Sequence, residues 1–359
     1  MARFEGALAR ASAPAAHADV ISRVCERARF DATSLAREGR EGTLAIPWVK
    51  ALTAQVAAES PEAARHVHAG ATSQDLIDTA AVLCLKPACT RILELAVRLG
   101  DAAAGLARRH ARTPTAARTL LQPALPVTFG WKAAVWLSMI TRSVVGVRST
   151  AASACVLQFG GPSGTLSAFG EHAETVLARL AQELGLRASL VPWHSARDGF
   201  ARLGAELAIL AGAAGKIGRD VALLMQPEVG EAAEAAKPGR GGSSSMAHKR
   251  NPALSMLALE AAQRAPGLAA TLLAQLTPEH ERGLGQWQSQ WFTLRALACA
   301  AASATGAMAE VVETLEVNAK AMRQNLKTFL KDQKQQAGAA GAMIERALAD
   351  WATSRETAP

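Results

Sequence analysis

The chain has 359 residues, 50% hydrophobic and 19% charged, with 39 Lys+Arg against 31 Asp+Glu and a formal charge of +8. Aromatics are only 4% and tyrosine is absent; with abundant alanine this excludes an all-β protein, because alanine favours helices and strands favour β-branched and aromatic residues. The length is enough for two or three domains with a sizeable core, and the positive balance leaves nucleic acid, an anionic membrane surface or a small polycarboxylate as the anionic partner.

The N-terminus shows no apolar signal core, and Glu5 and Asp19 argue against a transit peptide. Helical patterns run over 88–112, 130–150, 166–184 and 253–276, punctuated by Pro87, Pro114, Pro123, Pro126 and Pro162. Two segments carry an alternating four/three apolar repeat, the seam of helices packed at a shallow angle. The first is Leu203, Leu207, Leu210, Ala214, Ile217, Val221 and Leu224. The second steps from Trp291 through Leu294, Ala298, Ala301, Thr305, Met308, Val312, Leu315, Ala319 and Met322 to Leu326, which predicts one helix of roughly 50 Å. Pro227, Gly230, Pro238, Gly239, Gly241 and Gly242 interrupt the chain before the helix that follows Pro252; a connection this long inside a bundle is usually functional or disordered.

Basic residues Lys320, Arg323, Lys327, Lys331 and Lys334 form a stripe at helical spacing, read as a solvated face because no aromatics or recognition motif accompany it. The final stretch, Ala337–Trp351, reads as one amphipathic helix. Five scattered cysteines without a CxxC pair fit a reducing cytoplasm. No charge-free apolar run approaches the roughly 18 residues of a membrane span, so neither a membrane nor a nucleic-acid partner is expected.

Three separated segments carry reactive side chains. The first runs from His68 through Thr72, Ser73, Gln74 and Asp75 to Asp78 and Thr79; the second from Arg118 through Leu120 and Gln122 to Thr128; the third is Gly242-Ser243-Ser244-Ser245-Met246-Ala247-His248-Lys249-Arg250-Asn251-Pro252. The glycines and serines of the third give a loop rich in backbone N–H groups beside a lysine, suited to gripping a carboxylate, and a serine there can give up its proton more readily than in water. The spacing is not that of a phosphate-binding P-loop. His66 and His68 have no third ligand at metal spacing, so no metal is expected. Asp75 and Asp78 read as capping or structural carboxylates, Gly160, Gly161 and Gly164 as a turn, and Arg118 and Gln122 as substrate contacts, with a solvated loop as the alternative.

Together these segments resemble the fumarase/aspartase superfamily, whose third signature has the form G-S-S-x-M-P-x-K-x-N-P; Ala247 stands in place of the proline. Within that superfamily the segments HAGATSQDLIDTA, TLLQPALPVTFGWKAA, QFGGPSGT and PEHERGLGQWQSQW are most similar to the lactone-forming branch, and the resemblance covers the chain to about residue 326. It implies an all-α fold with an elongated central bundle of long helices and a shortened C-terminal domain. The corresponding division is 1–86 as an N-terminal helical domain, 87–326 as the bundle with a mobile 227–251 loop, and 327–359 as a helical tail. It also implies a homotetramer with active sites shared between subunits. Ser243 is the implied proton-transfer residue, and Lys249 and Asn251 hold a substrate carboxylate. His68, Thr72, Ser73, Gln74, Ser244 and Arg282 are the implied substrate-binding groups, with Arg118 and Gln122. No cofactor is implied.

Many members of the superfamily that expel an amine or hydroxide carry a histidine where this chain has Leu120. An amine or hydroxide leaving group needs a proton, whereas a carboxylate, with a conjugate-acid pKa near 4, does not. Leu120 therefore fits intramolecular addition of a carboxylate across a C=C bond of a tricarboxylate diene. Lys249 and Asn251 then stabilise an aci-carboxylate while Ser243 protonates carbon. Lys237, Arg240, Lys249 and Arg250 are expected to concentrate the anion. Adenylosuccinate- or argininosuccinate-lyase-like C–N elimination, a non-catalytic helical scaffold and a basic nucleic-acid module are the competing readings.

Overall fold

The computed structural model describes residues 1–38, 42–246, 248–329 and 338–356. The N-terminal region holds α1 (Ala2–Ser12), α2 (Ala15–Arg27), α3 (Ala32–Glu38), α4 (Ala45–Ala57) and the single turn α5 (Pro61–Ala64). Then come α6 (Ser73–Arg109), a hairpin of β1 (Pro114–Thr119) and β2 (Gln122–Thr128), α7 (Phe129–Ala154), β3 (Val156–Leu157), α8 (Ala173–Leu184), β4 (Arg187–Ala188) and α9 (Asp198–Leu224). Strand β5 (Ala232–Ala233) lies in the long loop before α10 (Ala253–Leu273), followed by α11 (Gln286–Glu313), β6 (Glu316–Val317), α12 (Ala319–Phe329) and α13 (Ala340–Glu356). The all-α expectation holds, with three two-stranded sheets as minor features among the described residues.

The first four/three series is α9, and all seven of its members are buried. Small residues let its neighbours approach closely: a Cβ on Gly215 would lie 2.3 Å from the Cβ of Ala262 on α10. Alanine, which loses no side-chain entropy in a helix, therefore serves the seam as well as the helix. By length and composition α11 could cross a membrane, but Leu294, Leu297, Ala301, Ala304 and Met308 along it are buried, as in the core helix of a folded unit.

Three sequence expectations are corrected. Pro87 does not end a helix but lies inside the 37-residue α6; the single backbone bond a proline removes is small beside the rest of that helix. The predicted helix over 166–184 is a short 3₁₀ turn at Ser167–His172, broken at Gly170, followed by α8. The second apolar series is not one helix of 50 Å, because α11 ends at Glu313 and α12 starts at Ala319. Between them β6 pairs antiparallel with β5, the Asn318 N–H donates to the Glu231 carbonyl (2.9 Å), and the Asn318 side chain accepts from the Ala321 N–H (3.0 Å) as an N-cap. These partners satisfy the backbone that a continuous helix would otherwise bond.

The chain divides into two units by packing. The first comprises Met1–Pro87, Ala151–Ala201 and Thr271–Phe292, and the second Ala88–Thr150, Arg202–Ala270 and Thr293–Pro359. In the first, α1 packs against α2 and α8, with Phe4, Leu8, Ile21, Leu52 and Phe159 at its centre. In the second, α12 packs on β1. The tail helix α13 docks through Trp351, whose indole N–H donates to Asp101 (2.9 Å). Lys320, Arg323 and Lys327 of the basic stripe are exposed; Lys331 and Lys334 lie outside the described residues, as does Ala247.

Candidate active site

Within the first unit, helix α6 opens at Ser73 with Thr72 before it. Three residues into the helix, the Asp75 carboxylate accepts the Thr72 N–H (3.0 Å), one half of a capping box. The same carboxylate accepts from the backbone N–H groups of Gly160 (3.0 Å) and Gly161 (2.8 Å) and lies 2.7 Å from His194 Nε2. Asp75 is thus a structural clasp, as its position in the sequence suggests. One turn on, buried Asp78 receives both terminal nitrogens of Arg197 (2.7 and 3.1 Å), the Trp287 indole (2.9 Å) and the side-chain amides of Gln74 and Gln158 (both 3.2 Å). The Gln74 side chain is fully buried, and its amide nitrogen also bonds the His194 carbonyl (2.9 Å), which ties it into this network.

His68 sits at φ +57°, a conformation that a non-glycine residue holds only where its surroundings impose it. What imposes it is Glu5, only 1% exposed, which accepts from the His68 N–H (2.9 Å) and lies 2.6 Å from His68 Nδ1. The other ring nitrogen has no partner among the described residues. Arg282 donates to the Thr72 hydroxyl (2.9 Å) and to the Pro162 carbonyl (3.1 Å). This brings the first segment, the glycine turn and the PEHERG segment together, with half-buried Ser73 beside them. Glu5 escaped the sequence reading, although a carboxylate beside Phe4 and Leu8 on an apolar helix face was the available signal. Burial and the Glu5 charge push the Cys25 thiol up to about 12, which leaves it unreactive.

Within the second unit, the β1–β2 hairpin turns through Leu120 and Leu121, both at positive φ (+51° and +66°) and 96% and 71% exposed. Two positive-φ residues in a two-residue loop match the twist of a hairpin, but the usual occupants are Asn and Gly. Arg118 is paired within the unit. Its two terminal nitrogens are bound by Glu231 (2.7 and 3.0 Å), which further accepts from Thr115 Oγ1 (3.0 Å) and Asn325 Nδ2 (2.9 Å). Burial raises the Glu231 carboxyl, but Arg118 and these hydrogen bonds outweigh it, and the net shift is below the usual carboxylate value. Gln122, on β2, is exposed.

The third segment forms a closed turn. The Ser243 hydroxyl accepts from the Met246 N–H (3.2 Å), and the Met246 carbonyl accepts from the Lys249 N–H (3.1 Å). Gly241 (φ +68°) binds back on Asn251: its carbonyl accepts the Asn251 N–H (2.7 Å), and a Cβ there would sit 2.5 Å from the Asn251 carbonyl oxygen, so only glycine fits. The Asn251 amide donates to the Gly242 carbonyl (3.3 Å). Buried Glu234 accepts the Leu254 and Ser255 N–H groups at the start of α10 (3.2 and 2.8 Å), anchoring the loop's far end. Lys249 and Asn251 line one small cavity of about 140 Å³ with Gly241 and Gly242, and Ser244 is exposed nearby in sequence.

Of the four cations expected to gather an anion, Lys237 and Arg240 are paired with Glu310. Arg250 bonds the Glu234 carbonyl (2.7 Å) and lies 3.3 Å from Glu316. Lys249 alone among them has no side-chain partner among the described residues; Lys237 and Arg240 share the single Glu310 carboxylate, so pairing reduces the positive charge of this group without cancelling it.

A family model described as lyase matches residues 9–267. The chain is 48% identical over 332 residues to 3-carboxy-cis,cis-muconate cycloisomerase of Bradyrhizobium diazoefficiens, covering 91% of this chain and 74% of that protein. It is 42% identical to nitrosuccinate lyase of Streptomyces davaonensis, covering 91% and 72%. Its fold matches the crystal structure of 3-carboxy-cis,cis-muconate lactonizing enzyme from Pseudomonas putida with a TM-score of 0.91 at 36% identity, over 98% of this chain and 94% of that one.

Proposed function

The chain belongs to the lyase family, within the fumarase/aspartase superfamily, and from that premise we propose that it converts 3-carboxy-cis,cis-muconate to 4-carboxymuconolactone, a step of aromatic-compound catabolism. The observation that carries this reading is the 48% identity, over nine-tenths of the chain, to a cycloisomerase of that name. One substrate carboxylate adds to the diene, and the adjacent carboxylate takes up the displaced electron pair as an aci-carboxylate. The free Lys249 ammonium, Asn251 and loop N–H groups stabilise that charge. The Ser243 hydroxyl delivers the proton to carbon, and Lys249 assists its return. The nucleophile is ionised beforehand, so an apolar Leu120 costs the reaction nothing. Addition and proton transfer are redox-neutral and call for no cofactor or metal.

Thr72 and Arg282, held against each other, and His68, fixed by Glu5, supply the remaining carboxylate contacts. The active chain is a homotetramer in which the three segments come from different copies; the exposed Leu120 and Leu121, which ask for cover, support this. Five free cysteines fit a cytoplasmic setting. The test is incubation with 3-carboxy-cis,cis-muconate while following loss of diene absorbance; no change at micromolar enzyme overturns the reading. The similarity to nitrosuccinate lyase makes elimination the second reading. A leaving group that departs as a weakly basic anion tolerates Leu120 equally well, so an ultraviolet assay with fumarate-forming substrates separates the two.

A further inference from the structure

Both acceptors that hold Arg282 hang from one carboxylate. Arg282 donates to the Thr72 hydroxyl (2.9 Å) and the Pro162 carbonyl (3.1 Å). Thr72 is fixed through its own N–H, which the Asp75 carboxylate accepts (3.0 Å). Pro162 follows Gly160 and Gly161, whose N–H groups donate to the same carboxylate (3.0 and 2.8 Å). Only glycine allows this approach at 161: its φ is +72°, and a Cβ there would lie 2.8 Å from the Gly70 carbonyl oxygen. The Leu166 N–H closes the turn on the Gly160 carbonyl (2.9 Å).

The fourth donor to this carboxylate is His194. Asp75 is fully buried and its oxygens are served in pairs: Oδ2 by Thr72 and Gly161, Oδ1 by Gly160 and by His194 Nε2 (2.7 Å). Two donors per oxygen fill the acceptor capacity of a carboxylate, and a carboxylate can only accept, so Nε2 carries the proton. His194 is itself held in place, 4% exposed and with its carbonyl accepting from the Gln74 amide (2.9 Å).

Arg282 stands at the end of this chain of bonds with no carboxylate partner among the described residues, and its buried Nε has no hydrogen-bond partner. Its two bonds go to neutral oxygens. The guanidinium therefore keeps its full charge and its remaining donors for an incoming carboxylate.

We propose that His194 is a positioning residue: by completing the Asp75 clasp it sets the two acceptors that aim Arg282, and so governs how tightly the protein holds a polycarboxylate. This assignment rests on the substrate-binding reading of Arg282 and extends it to a residue outside all three reactive segments.

The test is a double-mutant cycle on the full-length protein. It is read as the Kd for propane-1,2,3-tricarboxylate by calorimetry, and in parallel as KM and kcat for 3-carboxy-cis,cis-muconate. His194→Leu and Arg282→Ala are each expected to weaken tricarboxylate binding about tenfold, the scale of one charge-assisted contact. His194→Gln, which keeps a donor near the Nε2 position, retains wild-type affinity. In the double variant His194→Leu adds nothing to Arg282→Ala, because it acts through Arg282. In turnover the loss appears in KM, while kcat changes by less than about threefold. Where the leucine variant does not fold, His194→Asn, whose shorter amide falls short of Asp75, takes its place in the cycle. Additive effects overturn the proposal, since a merely structural His194 weakens binding with or without Arg282. So do an unchanged Kd in His194→Leu or Arg282→Ala and the absence of tricarboxylate heat in the wild type. A binding cycle that behaves as expected without any diene turnover overturns the reaction alone.

Discussion

Ser243 enters the proposed reaction as a proton donor, and the turn around it is closed by its own hydroxyl accepting the Met246 N–H. Ser243→Ala is expected to lower turnover about 10²–10⁴-fold, the usual worth of a positioned acid or base, with the far-ultraviolet dichroism unchanged; wild-type loss of diene absorbance in that variant sinks the assignment. Asp78 makes a stability prediction. Removing its carboxylate strands the buried Arg197 guanidinium, so Asp78→Ala should cost about 3–5 kcal/mol in urea unfolding. The Gly242–Pro252 loop stands out as a candidate segment because its residues are contiguous, whereas the bond from Arg282 to Thr72 joins two segments 210 positions apart. The Glu231 that occupies Arg118 lies 113 positions away, and Arg197 lies 119 from Asp78. No local pattern announces such pairings, so neither the Glu231 partner of Arg118 nor the burial of Gln74 is legible in the sequence.

At the scale of elements, the hairpin turn conflicts with its own sequence. Leucine at two successive positive-φ positions stores strain that Asn-Gly does not. The double variant Leu120→Asn, Leu121→Gly should therefore gain about 1–3 kcal/mol of stability, seen as a higher thermal midpoint. An unchanged or lower midpoint would mean that the two leucines are relaxed where they are. Helix periodicity revealed α9 correctly because its seam is continuous. The same periodicity joined α11 to α12, since the apolar spacing continues through Leu315 while the backbone leaves the helix to pair β6 with β5. Spacing reports which faces are apolar; it is silent on a two-residue strand whose partner is more than eighty positions earlier. The hairpin strands were missed for a related reason, since Pro114, Pro123 and Pro126 mark helix ends and sheet edges alike.

For the molecule as a whole, acid sensitivity follows from carboxylates held below their usual value. Glu231 is one, burial being outweighed by Arg118 and its hydrogen bonds; Glu310, bonded by Lys237 and Arg240, is another. A depressed folded-state pKa contributes stability that is present above the unfolded value of 4.5 and lost as pH falls through the folded value. The urea midpoint should therefore fall as pH is lowered below 4.5, and Glu231→Gln should flatten that decline; an equal decline in the variant would place the sensitivity elsewhere. The proposed assembly predicts a light-scattering mass of four copies of the 37.4 kDa chain, and a monomer at assay concentration would contradict it.

The Asp78 network has a consequence for the order in which the protein can be made. Its members come from all three chain pieces of the first unit: Asp78 from the earliest, Gln158 and Arg197 from the second, Trp287 and Gln290 from the last. During synthesis the buried Asp78 carboxylate cannot acquire its full set of donors until Trp287 has left the ribosome. The polar centre of the first unit therefore closes only after α1 to α10 have all been made.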